Sequence, residues 1–467
     1  MFYDRQDELA SLDRWYKGPG AQLVVVYGRR RVGKTALLRR FVADRPHIYY
    51  LADLSSEKEQ LAAFSERVYQ LTKDPVLVDN PFSNWSALFA YLAKLAIRKR
   101  LIVVIDEYQY LQSANKALSS IIQKAWDEQL EKSSIFLILC GSYVSFMENE
   151  LLAYKSPLYG RRTGQLFIRP LAFAQALHFF PDLSMEMKVD AYGILGGLPA
   201  YLRQFSNIRS IRSGIVKKIL QPDSFLFNEP QFVLMQELRE PRNYFAILKA
   251  IAQGRTRLNE IVQTSGLERG IVTKYLEILR NLRLVEREVP VQEERPEKSR
   301  KGIYRISDNF FRFWFRFVFP NLGLLEERRG EYVLQTRIWP YLGQYMGPVF
   351  EDVCREYLRW LNLRARIPFN IFRMGRFWSG ETEIDLVGFD EKRETLLVVE
   401  CKWTNKKVGI NVFQALKAKA QGPYFNRAKH IYYALCTKRG FTPGLLREKP
   451  PNLLLFSLED MILAWKQ

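Results

Sequence analysis

The stretch AQLVVVYGRRRVGKTALLRRFV, residues 21–42, constrains this chain more than any other. Leu23, Val24, Val25 and Val26 form an unbroken apolar run, the pattern of a parallel strand covered on both faces. The run stops at Gly28-x-x-x-x-Gly33-Lys34-Thr35, and a helical repeat follows with Leu37, Leu38 and Phe41 on one inward face. The glycines let the backbone curl until its amides point at phosphate oxygens, as a phosphate-binding loop requires. Gly28, Arg29, Arg30, Arg31, Val32, Gly33, Lys34, Thr35 and Ala36 are therefore the expected nucleotide-binding set. Lys34 is placed to reach the terminal phosphates and Thr35 to ligate magnesium.

Magnesium on a phosphate needs a carboxylate, and RLIVVIDEYQYL, residues 100–111, supplies one. Asp106 follows a second apolar strand at its C-terminal end, where α/β sheets form their ligand crevice. Asp106 is expected to hold the metal and Glu107 to polarise the attacking water, so hydrolysis is implied along with binding. A third strand, SIFLILCGS, ends in Ser142, which is placed to feel the γ-phosphate. In YGRRTG, Arg161 or Arg162 can serve as a phosphate-directed arginine or simply as surface charge. The helical turn GILGGLPAYL offers Leu198 and Pro199 as a lid against the adenine, or as a plain helix–helix turn.

Taken in order, GRRRVGKT, VVIDEYQYL, LILCGS, YGRRTG and GGLPAYL resemble the archaeal-type P-loop ATPases of the AAA-related branch that includes the STAND switch ATPases. The resemblance spans roughly residues 1–205. It implies ATP over GTP, in keeping with the absence of an N/TKxD element after the third strand. It also implies the roles given above to Lys34, Asp106 and Glu107.

Beyond residue 241 the pattern turns helical, in NYFAILKAIAQG, RLNEIVQTSG and LERGIVTKYLEILRNLR. LVEREVP and GIYRISD then read as two strands around the polar tip VQEERPEKSRK. Three helices and a β-wing make a winged helix-turn-helix. Arg269, Thr273, Lys274 and Arg280 are candidate contacts to nucleic acid, although such modules also serve only for packing. The aromatics of DNFFRFWFRFVFP recur at the spacing of a buried helix face.

Near the C-terminus, EIDLVGFD and LLVVECKW read as the strands of a hairpin. Period-two alternation puts Glu383, Asp385 and Val387 on one face, and Val398, Glu400 and Lys402 on one face of the next strand. If the faces coincide, Asp385, Glu400 and Lys402 converge on a site able to bind Mg²⁺ and attack a phosphodiester. The hairpin resembles the PD-(D/E)xK nucleases, the restriction-endonuclease-like fold, with Ile384-Asp385 for the PD and Glu400-Cys401-Lys402 for the E-x-K. Glu351, in MGPVFEDVCREYLRWL, matches the acid that the first helix often supplies in that superfamily. That helix also carries the apolar stripe Val349, Phe350, Val353, Tyr357 and Leu358.

The expected fold is thus α/β: a P-loop parallel sheet with a helical lid (residues 1–225), a winged helix-turn-helix (226–325) and a restriction-endonuclease-like α/β domain (326–467). Seventy Lys and Arg against fifty acids give a net charge of +20, which favours nucleic acid, DNA first, as partner. The apolar runs are too short for a membrane span, the first residues lack the core of a signal peptide, and a cytoplasmic setting is expected. Four cysteines lie far apart without a CxxC pair, so the spacing predicts neither a zinc site nor a disulfide framework. ATP and Mg²⁺ are the expected cofactors. Alternative readings are a STAND-like switch whose C-terminal domain only binds DNA or protein, a ring-forming motor, and an RNA partner; oligomeric state is not readable.

Overall fold

The computed structural model describes residues 3–238 and 240–465. The chain groups into two compact units, Met1–Pro170 with Leu198–Ala200, and Leu171–Gly197 with Tyr201–Gln467.

In the first unit, β1 (Gln22–Tyr27), β2 (His47–Leu51), β3 (Leu101–Asp106), β4 (Ile135–Gly141) and β5 (Gly164–Phe167) form one sheet in the order β2-β3-β4-β1-β5. Every pairing is parallel. Strands β1, β3 and β4 are buried at every position, which is why their sequences are unbroken apolar runs. Helices Lys34–Val42, Glu57–Thr72 and Trp85–Leu95 bury apolar stripes, and Phe64 stacks on Tyr50 with ring centroids 4.6 Å apart. Because β4 lies between β1 and β3, the carboxyl ends of three adjacent strands carry the glycine loop, Ser142 and Asp106 side by side.

In the second unit, helices Pro241–Ala252, Leu258–Ser265 and Arg269–Asn281 precede an antiparallel pair, β6 (Val285–Glu288) and β7 (Ile303–Ile306). The segment linking β6 to β7 is not a free loop. The Val291 amide donates to the Arg376 carbonyl, the Gln292 side chain donates to the Trp378 carbonyl, and Val291 joins the core of the C-terminal sheet. The aromatic stretch is core as its spacing predicts: Phe310, Phe311, Phe313, Trp314 and Phe315 are all fully buried.

The C-terminal sheet runs β12-β11-β10-β9-β8, from β8 (Arg373–Ser379), β9 (Thr382–Phe389), β10 (Thr395–Lys402), β11 (His430–Thr437) and β12 (Leu453–Ser457). It is mixed: β10, β11 and β12 are parallel, while β8, β9 and β10 are antiparallel neighbours. Helix Trp339–Leu363 and helix Ile410–Lys419 both pack on β10. The predicted stripe Val349, Phe350, Val353, Tyr357 and Leu358 is buried. No helix of the described residues is long and apolar enough to cross a membrane.

Candidate functional site

The glycine loop is built by backbone conformations that ordinary residues resist. Arg31 has φ 66° and Gly33 φ 98°, left-handed conformations that flank Val32 and curl the loop tightly. At Gly28 a Cβ would lie 2.5 Å from the Ile168 carbonyl oxygen, so only glycine lets β1 pass the end of β5. A Cβ on Gly33 would meet Pro199 Cγ at 3.8 Å, which places Pro199 beside the loop itself. Lys34 is buried and donates to the Gly28 and Arg29 carbonyls at 2.9 and 3.2 Å. Arg30 donates to the Tyr110 and Tyr143 hydroxyls at 2.8 and 3.1 Å. Arg29 is part-buried, Arg31 and Ala36 are exposed, and Val32 is buried with its carbonyl bonded to the Arg5 guanidinium.

Asp106 is fully buried, and its charge is met by three donors. Oδ2 accepts from the Thr35 hydroxyl at 2.8 Å and the Tyr49 hydroxyl at 2.6 Å, and Oδ1 accepts from the Glu107 amide at 3.0 Å. Burial, and then the Asp106 charge, push the Tyr49 phenol far above its ordinary range, so it stays a donor. Glu107 itself adopts φ 55°, a conformation that costs roughly 1 kcal/mol or more outside glycine. Its Oε2 accepts from the Ser142 hydroxyl at 2.7 Å and from Gln109 Nε2, and Gln109 Nε2 also donates to Ser142 at 3.1 Å.

Thr35, Asp106, Glu107 and Ser142 thus form one continuous set of contacts next to Lys34. Arg161 stands in a different arrangement from the one expected of a phosphate-directed residue. Its guanidinium grips Asp127 at 2.7 and 2.8 Å and the Pro157 carbonyl at 3.1 Å. Tyr49 and Gln109 were missed by sequence reasoning. Gln109 lies within the run RLIVVIDEYQYL, but Tyr49 lies in a strand that no motif marks, and its hydroxyl reaches Asp106 only once β2 and β3 are paired. The loop fits magnesium–nucleotide: Lys34 rests on loop carbonyls that phosphate oxygens can replace, and the Thr35 hydroxyl meets the Asp106 carboxylate.

The C-terminal carboxylates present a different picture. Val398 lies opposite Val387 and Val399 opposite Leu386, so the two expected faces do coincide in mid-hairpin. The alternation then breaks. Between Gly375↔Val387 and Phe377↔Ile384 the pairing advances two residues on β8 and three on β9, which makes a β-bulge at Asp385 and Leu386. The bulge aims the Asp385 carboxylate at the Cys401 amide, which donates to Oδ2 at 2.7 Å.

Burial, then Glu351 and Glu400, push the Asp385 carboxyl up to about 7. Burial likewise raises Glu351, whose Oε2 receives no hydrogen bond and has Arg376 Nε at 3.6 Å. Glu400, 6% exposed at the end of an apolar strand, is held by Lys402 at 2.5 Å and by Lys419 at 3.1 Å. Burial alone would lower the Lys402 amine, yet the Glu400 carboxylate holds it above the ordinary lysine range. Sequence reasoning did not single out Lys419. Asp385 feels both Glu351 and Glu400, but among the described residues the three acids are not drawn into one tight shell. Among the described residues, the group of three His, Cys, Asp or Glu with ligand atoms within 4.8 Å of one another is a cysteine trio instead.

A five-stranded parallel sheet, a glycine loop after β1 and an Asp-Glu pair after β3 define a P-loop ATPase domain of the α/β class. Residues 2–205 match the family model described as an ATPase domain predominantly from Archaea, and residues 314–413 match that of archaeal and bacterial proteins of unknown function. Uncharacterized protein MJECL04 of Methanocaldococcus jannaschii is 35% identical over 466 residues, 98% of this chain and 100% of the relative. The chain belongs to the same family as that protein and carries the archaeal ATPase domain.

The uncharacterized ATP-binding protein MJ0423 of the same organism is 44% identical over 45 residues, 10% of this chain and 76% of the relative. Among solved structures, a Walker-type ATPase of Pyrococcus abyssi is similar with TM-score 0.48 and 24% identity, over 68% of this chain and 96% of that one.

Proposed function

We propose that this protein hydrolyses ATP and acts on DNA. In this reading an ATPase domain (residues 1–225) governs a winged helix-turn-helix (226–325) and a PD-(D/E)xK nuclease-like domain (326–467). The observation that carries it is the unbroken set of contacts Thr35–Asp106–Glu107–Ser142 beside Lys34. Magnesium bound there would neutralise charge on the phosphates. Lys34 would leave the Gly28 and Arg29 carbonyls for phosphate oxygens, and Thr35 with Asp106 would hold the metal. Both side-chain bonds to Glu107 fall on Oε2, so Oε1 is not drawn on by Ser142 or Gln109 and is the oxygen for orienting water.

DNA as partner is supported by the net charge of +20 and by the outward face of helix Arg269–Asn281. Arg269, Thr273, Lys274 and Arg280 are exposed there, opposite buried Val272, Leu276 and Leu279. A cavity of ≈ 490 Å³ is lined in part by Arg257, Arg312 and Arg316. At the C-terminal site, the orphaned Glu351 oxygen and the bulged Asp385 suit a divalent cation, with Glu400 as third acid and Lys402 beside the scissile phosphate.

The test is cleavage of supercoiled and linear DNA with Mg²⁺ or Mn²⁺, with and without ATP, beside Lys34→Ala and Asp385→Ala proteins. Cutting that Asp385→Ala abolishes and Lys34→Ala alters supports an ATP-gated nuclease. A second reading rests on a specific observation: two lysines already neutralise Glu400, and the three acids do not close into one shell. That favours a STAND-like switch whose nuclease-like domain only binds DNA or protein. ATP hydrolysis without cutting under any of these conditions would select it.

A further inference from the structure

Three of the four cysteines come together in the second unit although the sequence scatters them. Cys354 lies on helix Trp339–Leu363, Cys401 on β10 and Cys436 on β11. Cys401 and Cys436 are direct partners in the parallel β10–β11 pair, so their side chains leave the sheet on one face. The helix packs on β10 and brings Cys354 to the same place, and the three Sγ atoms all lie within 4.8 Å of one another. Cys354 and Cys436 are 0% and 1% exposed, and Cys401 is 9% exposed. The fourth, Cys140, belongs to β4 in the first unit.

A buried cysteine often packs merely as a small apolar side chain, and one such residue would imply nothing. Three converging sulfurs form a donor set. Sulfur ligands at about 2.3 Å from one ion stand roughly 3.8–4.0 Å apart, so separations below 4.8 Å need sub-ångström adjustments to close. Thiolate is soft and selects soft or borderline ions over magnesium or calcium. The Cys401 amide is already used by Asp385, which fixes that segment of β10 whether or not a metal is present.

We propose that Cys354, Cys401 and Cys436 bind one thiophilic d10 cation, Zn²⁺ or Cu⁺, as a tris-thiolate site. Binding deprotonates three thiols, so three protons pass to the buffer for each ion taken up. The ion ties the helix that carries Glu351 to the strand that carries Glu400, which makes the site a staple of the scaffold beneath the carboxylates. The three thiols would hold the ion whether or not the neighbouring carboxylates cut DNA.

The test uses the intact, reduced, chelator-stripped protein under anaerobic conditions. Titration with Co²⁺, as a spectroscopic stand-in for Zn²⁺, should give a thiolate-to-metal charge-transfer band that saturates at one equivalent and collapses when Zn²⁺ is added. A parallel titration with Cu⁺ against a chromophoric chelator tells the two ions apart by affinity. Cys140→Ala should retain full uptake, while Cys354→Ser, Cys401→Ser and Cys436→Ser should each weaken it at least about 100-fold, beyond the 10–100-fold typical of lost supporting contacts. Absence of the charge-transfer band in the wild-type protein, with no Cu⁺ uptake, would overturn the proposal even if a serine variant failed to fold. Equal uptake by folded serine variants would also overturn it, by assigning the metal to carboxylates elsewhere.

Discussion

Tyr49 donates its hydroxyl to Asp106 Oδ2 at 2.6 Å, from the edge strand of the first sheet to the strand beside it. The same oxygen takes the Thr35 hydroxyl at 2.8 Å, so a tyrosine and a loop threonine share the carboxylate expected to serve magnesium. Removing the tyrosine leaves a fully buried charge with one donor fewer. Tyr49→Phe is therefore expected to cost about 1.5–3 kcal/mol of stability in the nucleotide-free protein, as for hydrogen bonds to charged groups. Urea unfolding with and without Mg–ATP checks this: the deficit should shrink when nucleotide and metal supply the missing charge compensation.

Glu107 and Ser142 should separate binding from turnover. Glu107→Gln keeps the shape of the side chain and removes its basicity, so ATP hydrolysis should fall by about 10²–10⁴-fold while ATP affinity stays within a few fold. Ser142→Ala removes the 2.7 Å bond that orients Glu107 and the acceptor of the 3.1 Å bond from Gln109, while Gln109 still reaches Glu107, and its loss should be nearer ten-fold, the equivalent of about 1.4 kcal/mol. Phosphate release and equilibrium nucleotide binding, measured on both variants, decide the matter. A Glu107→Gln protein that loses binding in proportion to turnover would remove Glu107 from the water-activating role.

Gly28 and Gly270 should respond in opposite directions to the same methyl group. At Gly28 the new Cβ meets the Ile168 carbonyl at 2.5 Å, backbone against backbone, so Gly28→Ala should cost about 1–3 kcal/mol and abolish ATP binding. At Gly270, in the first turn of helix Arg269–Asn281, nothing lies within 4 Å of the added carbon. Gly270→Ala should stabilise the protein by roughly 0.5–1 kcal/mol through helix propensity alone. Paired denaturation curves report both signs.

The raised Asp385 carboxyl makes a signed statement about pH. Its folded-state value, about 7, lies above the ordinary aspartate value of 3.8, so the folded protein holds this proton more tightly than the unfolded chain. Stability from this group is full below pH about 4, declines as pH rises toward about 7, and is level beyond that. Asp385→Asn, which cannot ionise, should flatten that slope between pH 4 and 7 in thermal unfolding. Millimolar Mg²⁺ should flatten it too in the wild-type protein if the carboxylates accept the ion. A slope unchanged by Asp385→Asn would mean that another group sets it.

What could be read from the sequence follows from how far each feature reaches along the chain. The nucleotide loop is a local object: strand, glycine turn and helix are contiguous, and Asp106 needs only the rule that parallel sheets place ligands at carboxyl ends. The aromatic run and the stripe of the helix at Glu351 were legible for the same reason, a helical period. Asp385 was legible as a residue but not as a geometry, because alternation assumes a regular strand and β9 contains a bulge. The docking of Val291 and Gln292 on β8 was hidden because it depends on an edge strand far along the chain. The cysteines misled most. Spacing rules look for ligands on one turn, whereas these three meet through the register of two parallel strands and the helix laid across them.

Strand β10 sends Glu400 toward Lys419 on one side of the sheet and Cys401 toward Cys354 on the other. Two chemistries are therefore interleaved on consecutive residues, and neither can drift independently. Loss or gain of a single codon between Val399 and Lys402 would exchange the layers, facing a thiol toward the lysines and a carboxylate into the cysteine pocket. Variation in this family should accordingly tolerate changes of length in the turns before β10 and after it, and refuse them within it.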